Sequence, residues 1–364
     1  MRQFKMKRNS GIALVMTLLL LLILVVVVGD LSYTTKIDVF IAQNSSNDAQ
    51  LRYALISAVN YGVTQLKLDA LKEKENKKNK YDALTENWNK PVWSEKKPKK
   101  VGDVKVYYKI IDENSKFNLL LLLEKNKKKK KEEKKKQFDN SKKDDENKKK
   151  DKEKKKVKSI SPAEQFDLIA QALQGEKNII KPAKLRESIV FWLKNKKGKP
   201  DKAKGPFPNK VPIFSVKELL MAKGIKPVII FGLPGLESQF NGIGDYVTVW
   251  SDAKININTA SREMFQSLSS KITKEISDRI VDYREQIGPD GEKQVFKKNS
   301  DIKKIGGFGD KKKKIYAEIE NLITVKSSYF SIHATARSKR MQKKLTVVVY
   351  RQGTKIYKIY SDFQ

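Results

Sequence analysis

Two asparagines and a threonine in the phrase Ile255-Asn256-Ile257-Asn258-Thr259-Ala260 form the most specific chemical word in this 364-residue chain. Each amide offers two donors and an acceptor, so alternating asparagines can hold a sharp turn out of a strand, and Asn258 or Thr259 can cap the helix that follows. Apolar residues then recur at Met264, Leu268, Ile272, Ile276, Ile280 and Tyr283. Gly288, Phe296, Ile302 and the turn Gly306-Gly307-Phe308-Gly309 come next, giving the order helix, glycine turn, helix. Asn241, Asp245 and Asp252 carry oxygens of the kind hard cations take, and in this setting they read as a polar turn. The absence of Cys excludes disulfide frameworks, thiolate catalysis and Cys-ligated zinc or iron–sulfur clusters. The single His, His333, argues against histidine metal motifs and His-based triads. Ser/Lys pairs recur throughout so lysine-rich a chain and single out nothing. The reading is a protein that is not an enzyme.

These residues must be positioned by something anchored. The leader Met1–Gly11 holds Arg2, Lys5, Lys7 and Arg8 and no acid, and Ile12–Gly29 then runs without a charge to Asp30. As a helix that run covers about 27 Å, near the hydrocarbon thickness of a bilayer. Cations before it and an acid after it place the N-terminus in the cytoplasm and the rest outside. It is long for the apolar stretch of a secretory signal, and no small-x-small site closes it, so it reads as a retained anchor. Beyond it, Leu51, Leu55, Ala58, Gly62 and Leu66 form a helical stripe, with Asp38, Gln43, Asn47 and Arg52 on its flank. No Pro interrupts Ile12 to about Leu71, which predicts one long helix whose weakest stretch is Asn44-Ser45-Ser46-Asn47.

Strand signals cluster at Val101–Asp112 and again in Ser327–Tyr360, where YFSIHATA, LTVVVYR, a Gln352-Gly353 turn and KIYKIY follow one another. One antiparallel sheet joining these distant segments makes everything between them an insertion. The insertion opens with a tract from Glu124 to Lys158 holding 19 Lys against 9 acids, part of the excess of 77 Lys+Arg over 42 Asp+Glu and the net charge of +35. Phe138 is nearly its only apolar residue, so it cannot offset its ordering entropy and reads as a charge-swollen linker. Nine interspersed acids and the lack of stacking aromatics weigh against a nucleic-acid or lipid patch. Helices follow: one opened by Ser161-Pro162-Ala163-Glu164, one over Lys184–Leu193, and one over Ser215–Ala222, the last two separated by the loop Gly198–Pro212.

The basic leader ending in Gly directly before a helix resembles a type IV prepilin leader. That resemblance implies cleavage by prepilin peptidase between Gly11 and Ile12, with methylation of the new N-terminus. Pilins of that class carry Glu at the fifth mature position, which here is Met16. A carboxylate in the membrane needs a partner, the amine of the subunit above, so an apolar residue suits a subunit with nothing above it. The segment after Ala260 resembles a helix-hairpin-helix unit, whose glycine turn presents N–H groups to DNA phosphate, with Lys303, Lys304 and Lys311 to Lys314 nearby.

The whole layout is similar to the K-type minor pseudopilins of type II secretion systems. They carry an N-x-N-T-A phrase inside a pilin-like frame, and a D-x-x-x-(K/R)-(F/I)-N-L phrase that reads here Asp112-Glu113-Asn114-Ser115-Lys116-Phe117-Asn118-Leu119. Motif residues Asn118, Asn256, Asn258, Thr259 and Ala260 are then structural. The implied fold is α+β, a long N-terminal helix and antiparallel sheet with a mostly α-helical domain inserted between strands. Its divisions are a leader at 1–11, a transmembrane part at 12–30, helix and first strands at 31–123, a linker at 124–160, the inserted domain at 161–322 and closing strands at 323–364. The family's calcium sites map near Phe191-Trp192-Leu193-Lys194-Asn195, where the carboxylates are missing, so no metal or other cofactor is expected. The implied role is a tip subunit of the pseudopilus, in the inner membrane with its head in the periplasm. Its expected partners are I- and J-like minor pseudopilins, the major pseudopilin, prepilin peptidase, the inner-membrane assembly platform and the lipid bilayer. The rival is a type IV pilus or competence minor pilin whose basic head binds DNA; nucleic acid is not the expected partner.

Overall fold

A computed structural model describes residues 10–75, 80–123, 159–174, 181–195, 213–232, 241–289, 291–308, 314–339 and 341–364. The leader before Ser10, the lysine tract, the loop Gly198–Pro212, Gly309 and Lys311 to Lys313 lie outside the described residues.

Helix α1, Ser10–Glu75, is unbroken for 66 residues, through Asn44–Asn47. At 1.5 Å per residue it extends about 100 Å. Its first part is long and apolar enough to cross a membrane, and none of that part is buried against the rest of the chain. From Leu51 onward one face is covered. Leu51, Leu55, Ala58, Val59 and Leu66 pack on a five-stranded antiparallel sheet with the order β1-β2-β7-β8-β9. The sheet strands are β1 (Lys99–Val101), β2 (Val104–Asp112), β7 (Tyr329–Arg337), β8 (Gln342–Gln352) and β9 (Lys355–Phe363). The intervening strand pairs are β3 (Phe117–Asn118) with β4 (Val247–Thr248), and β5 (Ile255–Asn256) with β6 (Ile323–Thr324), both parallel. Helix and sheet approach closely at Gly62, where a Cβ would lie 3.0 Å from Ile332 Cγ2 and press on that side chain.

The period of two decides which side of each strand meets α1. Val104, Val106, Tyr108 and Ile110 face it from β2, and Leu345, Val347 and Val349 from β8. Val348 faces the other way, into a second core made by the insertion. β2 and β7 are neighbours in the sheet, with Asp112 opposite Phe330, so the insertion leaves and returns at adjacent strand ends. Within it lie α2 (Pro162–Gln174), α3 (Pro182–Asn195), α4 (Pro227–Phe231), α5 (Arg262–Gln266), α6 (Lys274–Glu285) and α7 (Ile315–Ile319). Ser161 caps α2 as a reciprocal pair with Glu164.

Two local expectations shift. Ser215 and Glu218 do form a capping box, but the turn they open, Val216–Met221, is 3-10 and not α-helical. The β8–β9 hairpin turns at Gly353-Thr354, one residue later than expected, because Gln352 pairs with Lys355 and Gly353 supplies the positive φ of 58°.

Candidate functional site: a polar clamp at the root of the insertion

The two motif phrases meet at one carboxylate. β2 ends on its buried face with Asp112, whose Oδ2 accepts hydrogen bonds from Asn256 Nδ2 at 3.0 Å, Thr259 Oγ1 at 2.5 Å and Ser327 Oγ at 2.6 Å. Its Oδ1 accepts from the Asn114 amide at 2.8 Å and so caps the turn that follows β2. Asn256 Nδ2 also reaches the Asp82 carbonyl at 3.0 Å and Ser327 Oγ at 2.8 Å. Asn114 ties down both insertion ends: its Nδ2 donates to Asp252 and to the Lys254 carbonyl, and its Oδ1 accepts from the amides of Ser328 and Tyr329. Asn118 Nδ2 donates to the Ser251 carbonyl at 2.6 Å while its Oδ1 accepts from the Leu120 amide. Asn258 bridges to Phe296 through both backbone groups, at 2.9 and 2.8 Å. Ala260 is buried at the same turn.

Neither Asn258 nor Thr259 caps the following helix. Ser261 does, accepting from the Met264 amide, because Asn258 and Thr259 are committed to Phe296 and Asp112. Gly11, Ile12 and Met16 stand at the opposite end of the molecule, exposed on the first turns of α1. Asp252 is held by Asn114.

A second layer of the clamp was not legible from motifs. Arg351 donates to Asp69 Oδ2 at 3.0 Å, to Asp82 Oδ1 and to the Ser327 carbonyl at 2.9 Å, and lies 4.8 Å over the Phe330 ring. Asp82 Oδ2 accepts from the Ser327 amide at 2.7 Å. The arginine therefore ties α1, the segment after it and β8 to the return strand. Its signal was positional: Leu345, Val347, Val349 and Arg351 share one face, so a charge on that face must find acids in the core. Burial works against its charge, yet the attraction and hydrogen bond of Asp82 outweigh it and hold the guanidinium above its usual range.

Acids outnumber the arginine here. Burial, then repulsion from Asp82, raises Asp69 to about 6. Burial, then repulsion from Asp69, raises Glu86 to about 8, although the Ala83 amide and the Trp88 indole both donate to it. Burial also raises Asp112 to about 6 against the pull of Ser327 and Thr259. Raised carboxyls bind protons more tightly in the folded chain than in the unfolded one. Their stabilising contribution is complete below about pH 4 and is lost as pH rises through the folded values. His333, lowered by burial to about 4, acts oppositely: its contribution is present above its ordinary value and lost as pH falls towards 4. Above about pH 6.5 the histidine no longer titrates and the Glu86 contribution dominates. The melting temperature of the detergent-solubilised chain should therefore fall between about pH 6.5 and 8.5. Glu86→Gln, which keeps an acceptor for Ala83 and Trp88, should flatten that fall; an unchanged slope would contradict this electrostatic picture.

Asp69, Asp82 and Glu86 are also the one convergence of three carboxylates found among the described residues, with ligand oxygens within 4.8 Å of one another. They do not fit calcium, which needs six to eight oxygens, because Arg351 already occupies the cluster and Asp82 is bonded through both oxygens. Phe191–Asn195 forms the last turn of α3, with Phe191 exposed and Leu193 buried.

His333 has a Ser and a Glu nearby, but in an order that does no nucleophilic chemistry. Ser331 Oγ donates to Glu113 Oε1 at 2.5 Å and lies 2.9 Å from His333 Nε2, while Thr346 Oγ1 is 3.2 Å from Nδ1. The serine sits between carboxylate and imidazole with its O–H directed at Glu113, and it is 2% exposed. A nucleophile needs the histidine in the middle and the hydroxyl free. This is a buried polar lattice under the sheet.

A long N-terminal helix on an antiparallel sheet, with a helical insertion clamped at one strand end, defines a pilin-like α+β protein. Residues 251–318 match the helix-hairpin-helix motif. No curated protein matches the sequence. Among solved structures, the chain aligns with one from the crystal structure of the GspK-GspI-GspJ complex of the enterotoxigenic Escherichia coli type 2 secretion system. The TM-score is 0.57 at 12% identity, over 89% of this chain and 99% of that one. The chain therefore shares its fold with a subunit of that complex.

Proposed function

We propose that this chain is a minor pseudopilin at the tip of a type II secretion pseudopilus. There it would start and cap assembly with two further minor pseudopilins, of the I and J types. Export of folded proteins across the outer membrane would follow as major pseudopilin subunits add beneath. The observation that carries the reading is the clamp. It fixes a bulky insertion rigidly to the pilin-like sheet, above a helix whose apolar half is left wholly uncovered. A head of that kind can end a stack of subunits, and such a helix can lie in a membrane or beside other helices. Met16 at the fifth mature position agrees with a subunit that has no amine above it. In this reading the head is periplasmic and the anchor lies in the inner membrane. The inserted domain spans 161–322 and the tract at 124–160 is a linker. No cofactor is needed, and no catalysis is assigned.

The leader assignment is tested by Gly11→Leu. If the peptidase cuts after Gly11, a bulky residue there should block it, so the variant should accumulate as full-length precursor in the membrane and secretion should stop. Trimming of the variant to Ile12, with normal secretion, would overturn the assignment.

A further inference from the structure

The helix-hairpin-helix match raises the question of whether its turns are open to phosphate, and one of them is already filled from inside. The first hairpin runs from α5 through Ser269, Ser270, Lys271 and Ile272 into α6, whose 12 residues begin just after the cap Thr273. It has no glycine, and its donors converge on a carboxylate brought from α7, 49 positions away. Ser269 Oγ donates to Glu318 Oε2 at 2.7 Å, and Lys271 Nζ bonds to Glu318 Oε1. The Lys271 amide in turn donates to Ser269 Oγ at 3.2 Å, which closes a ring of bonds around the turn. Ser269 is buried and the Glu318 side chain is only 16% exposed, while the Lys271 side chain reaches it from the solvent side, 45% exposed. A hydroxyl, an ammonium and the positive end of a three-turn helix are what an oxyanion would seek. In the described part of the second turn the Gly306 carbonyl accepts from Arg279 and Lys304 pairs with Asp301.

We propose that Glu318 is a built-in anion that closes the first hairpin to phosphate and turns it into a latch for α7. Partial burial opposes its charge, but Lys271 and Ser269 hold the carboxyl below its usual range, so the seat stays filled at neutral pH. The assignment goes beyond the tip reading and does not depend on it. A chain charged at +35 will attract DNA in any case, and the latch concerns only whether this turn takes part.

The test titrates the full chain in detergent against a DNA duplex of about 20 base pairs by fluorescence anisotropy over a range of salt. In the unaltered chain, Lys271→Met should leave binding unchanged. Glu318→Ala should bind about tenfold tighter at low salt with a steeper salt slope, and adding Lys271→Met should cancel the gain. If Lys271→Met alone weakens binding, the turn is open in the unaltered chain and the latch is wrong. It is equally wrong if Glu318→Ala keeps its melting transition yet binds as before. Should Glu318→Ala fail to fold, Glu318→Gln preserves the acceptor for Ser269 and is read by the same two criteria.

Discussion

Asp112→Ala is expected to destabilise the chain by about 3 kcal/mol and to loosen the insertion before the sheet melts. One carboxylate oxygen receives Asn256, Thr259 and Ser327, and the other receives the Asn114 amide, all from groups with little or no access to water. Hydrogen bonds to a charged acceptor are worth about 1.5–3 kcal/mol each, and a buried donor left without one pays its desolvation in full. Part of that loss is offset, because a carboxyl raised to about 6 also costs energy to bury ionised. Asn256 keeps the Asp82 carbonyl and Ser327, so the loss falls mainly on Thr259, Ser327 and Asn114. Hydrogen exchange should accelerate first at 254–260 and 327–330, ahead of global unfolding. A variant with the original melting temperature and exchange pattern would show that the motif phrases do not act through Asp112.

Arg351→Met should cost about 3–5 kcal/mol, the range for breaking a buried ion pair from one side. Methionine can fill the apolar part of the space, but Asp69 and Asp82 would then face each other and Glu86 with no cation between them. Because Asp69 already sits at about 6, mildly acidic buffer should recover part of the loss by protonating it. Asp82→Asn in the same chain should recover more, since the amide oxygen can still accept from Ser327. If Arg351→Met is neutral and insensitive to pH, the arginine is not what holds α1 to the return strand.

Much of the scaffold could be read locally. An uncharged run without Pro gives the long apolar helix, the stripe from Leu51 to Leu66 gives its covered face, and the β-branched run in LTVVVYR gives a strand. The clamp was half legible: its components stood out as Asp112-to-Leu119 and ININTA, but their meeting did not. Thr259 and Asp112 lie 147 positions apart, and Arg351 and Asp82 lie 269 apart; no periodicity reports such pairs. Competition for side chains explains the misread helix start. Asn258 and Thr259 are good caps in isolation, and tertiary partners took them first, leaving Ser261. Glycine drew attention to the Gly306–Gly309 turn, whereas the hairpin at Ser269 and Lys271, which bonds to Glu318, has no glycine to mark it.

The central claim is positional: one head, at one end. Full-length chain carrying an epitope on the head would be expressed in its own secretion system, with overproduced pseudopilus fibres labelled by gold antibody and viewed by electron microscopy. The account predicts label at a single end of each fibre. Label repeating along the shaft, or fibres of normal length and number in cells lacking the chain, would contradict it.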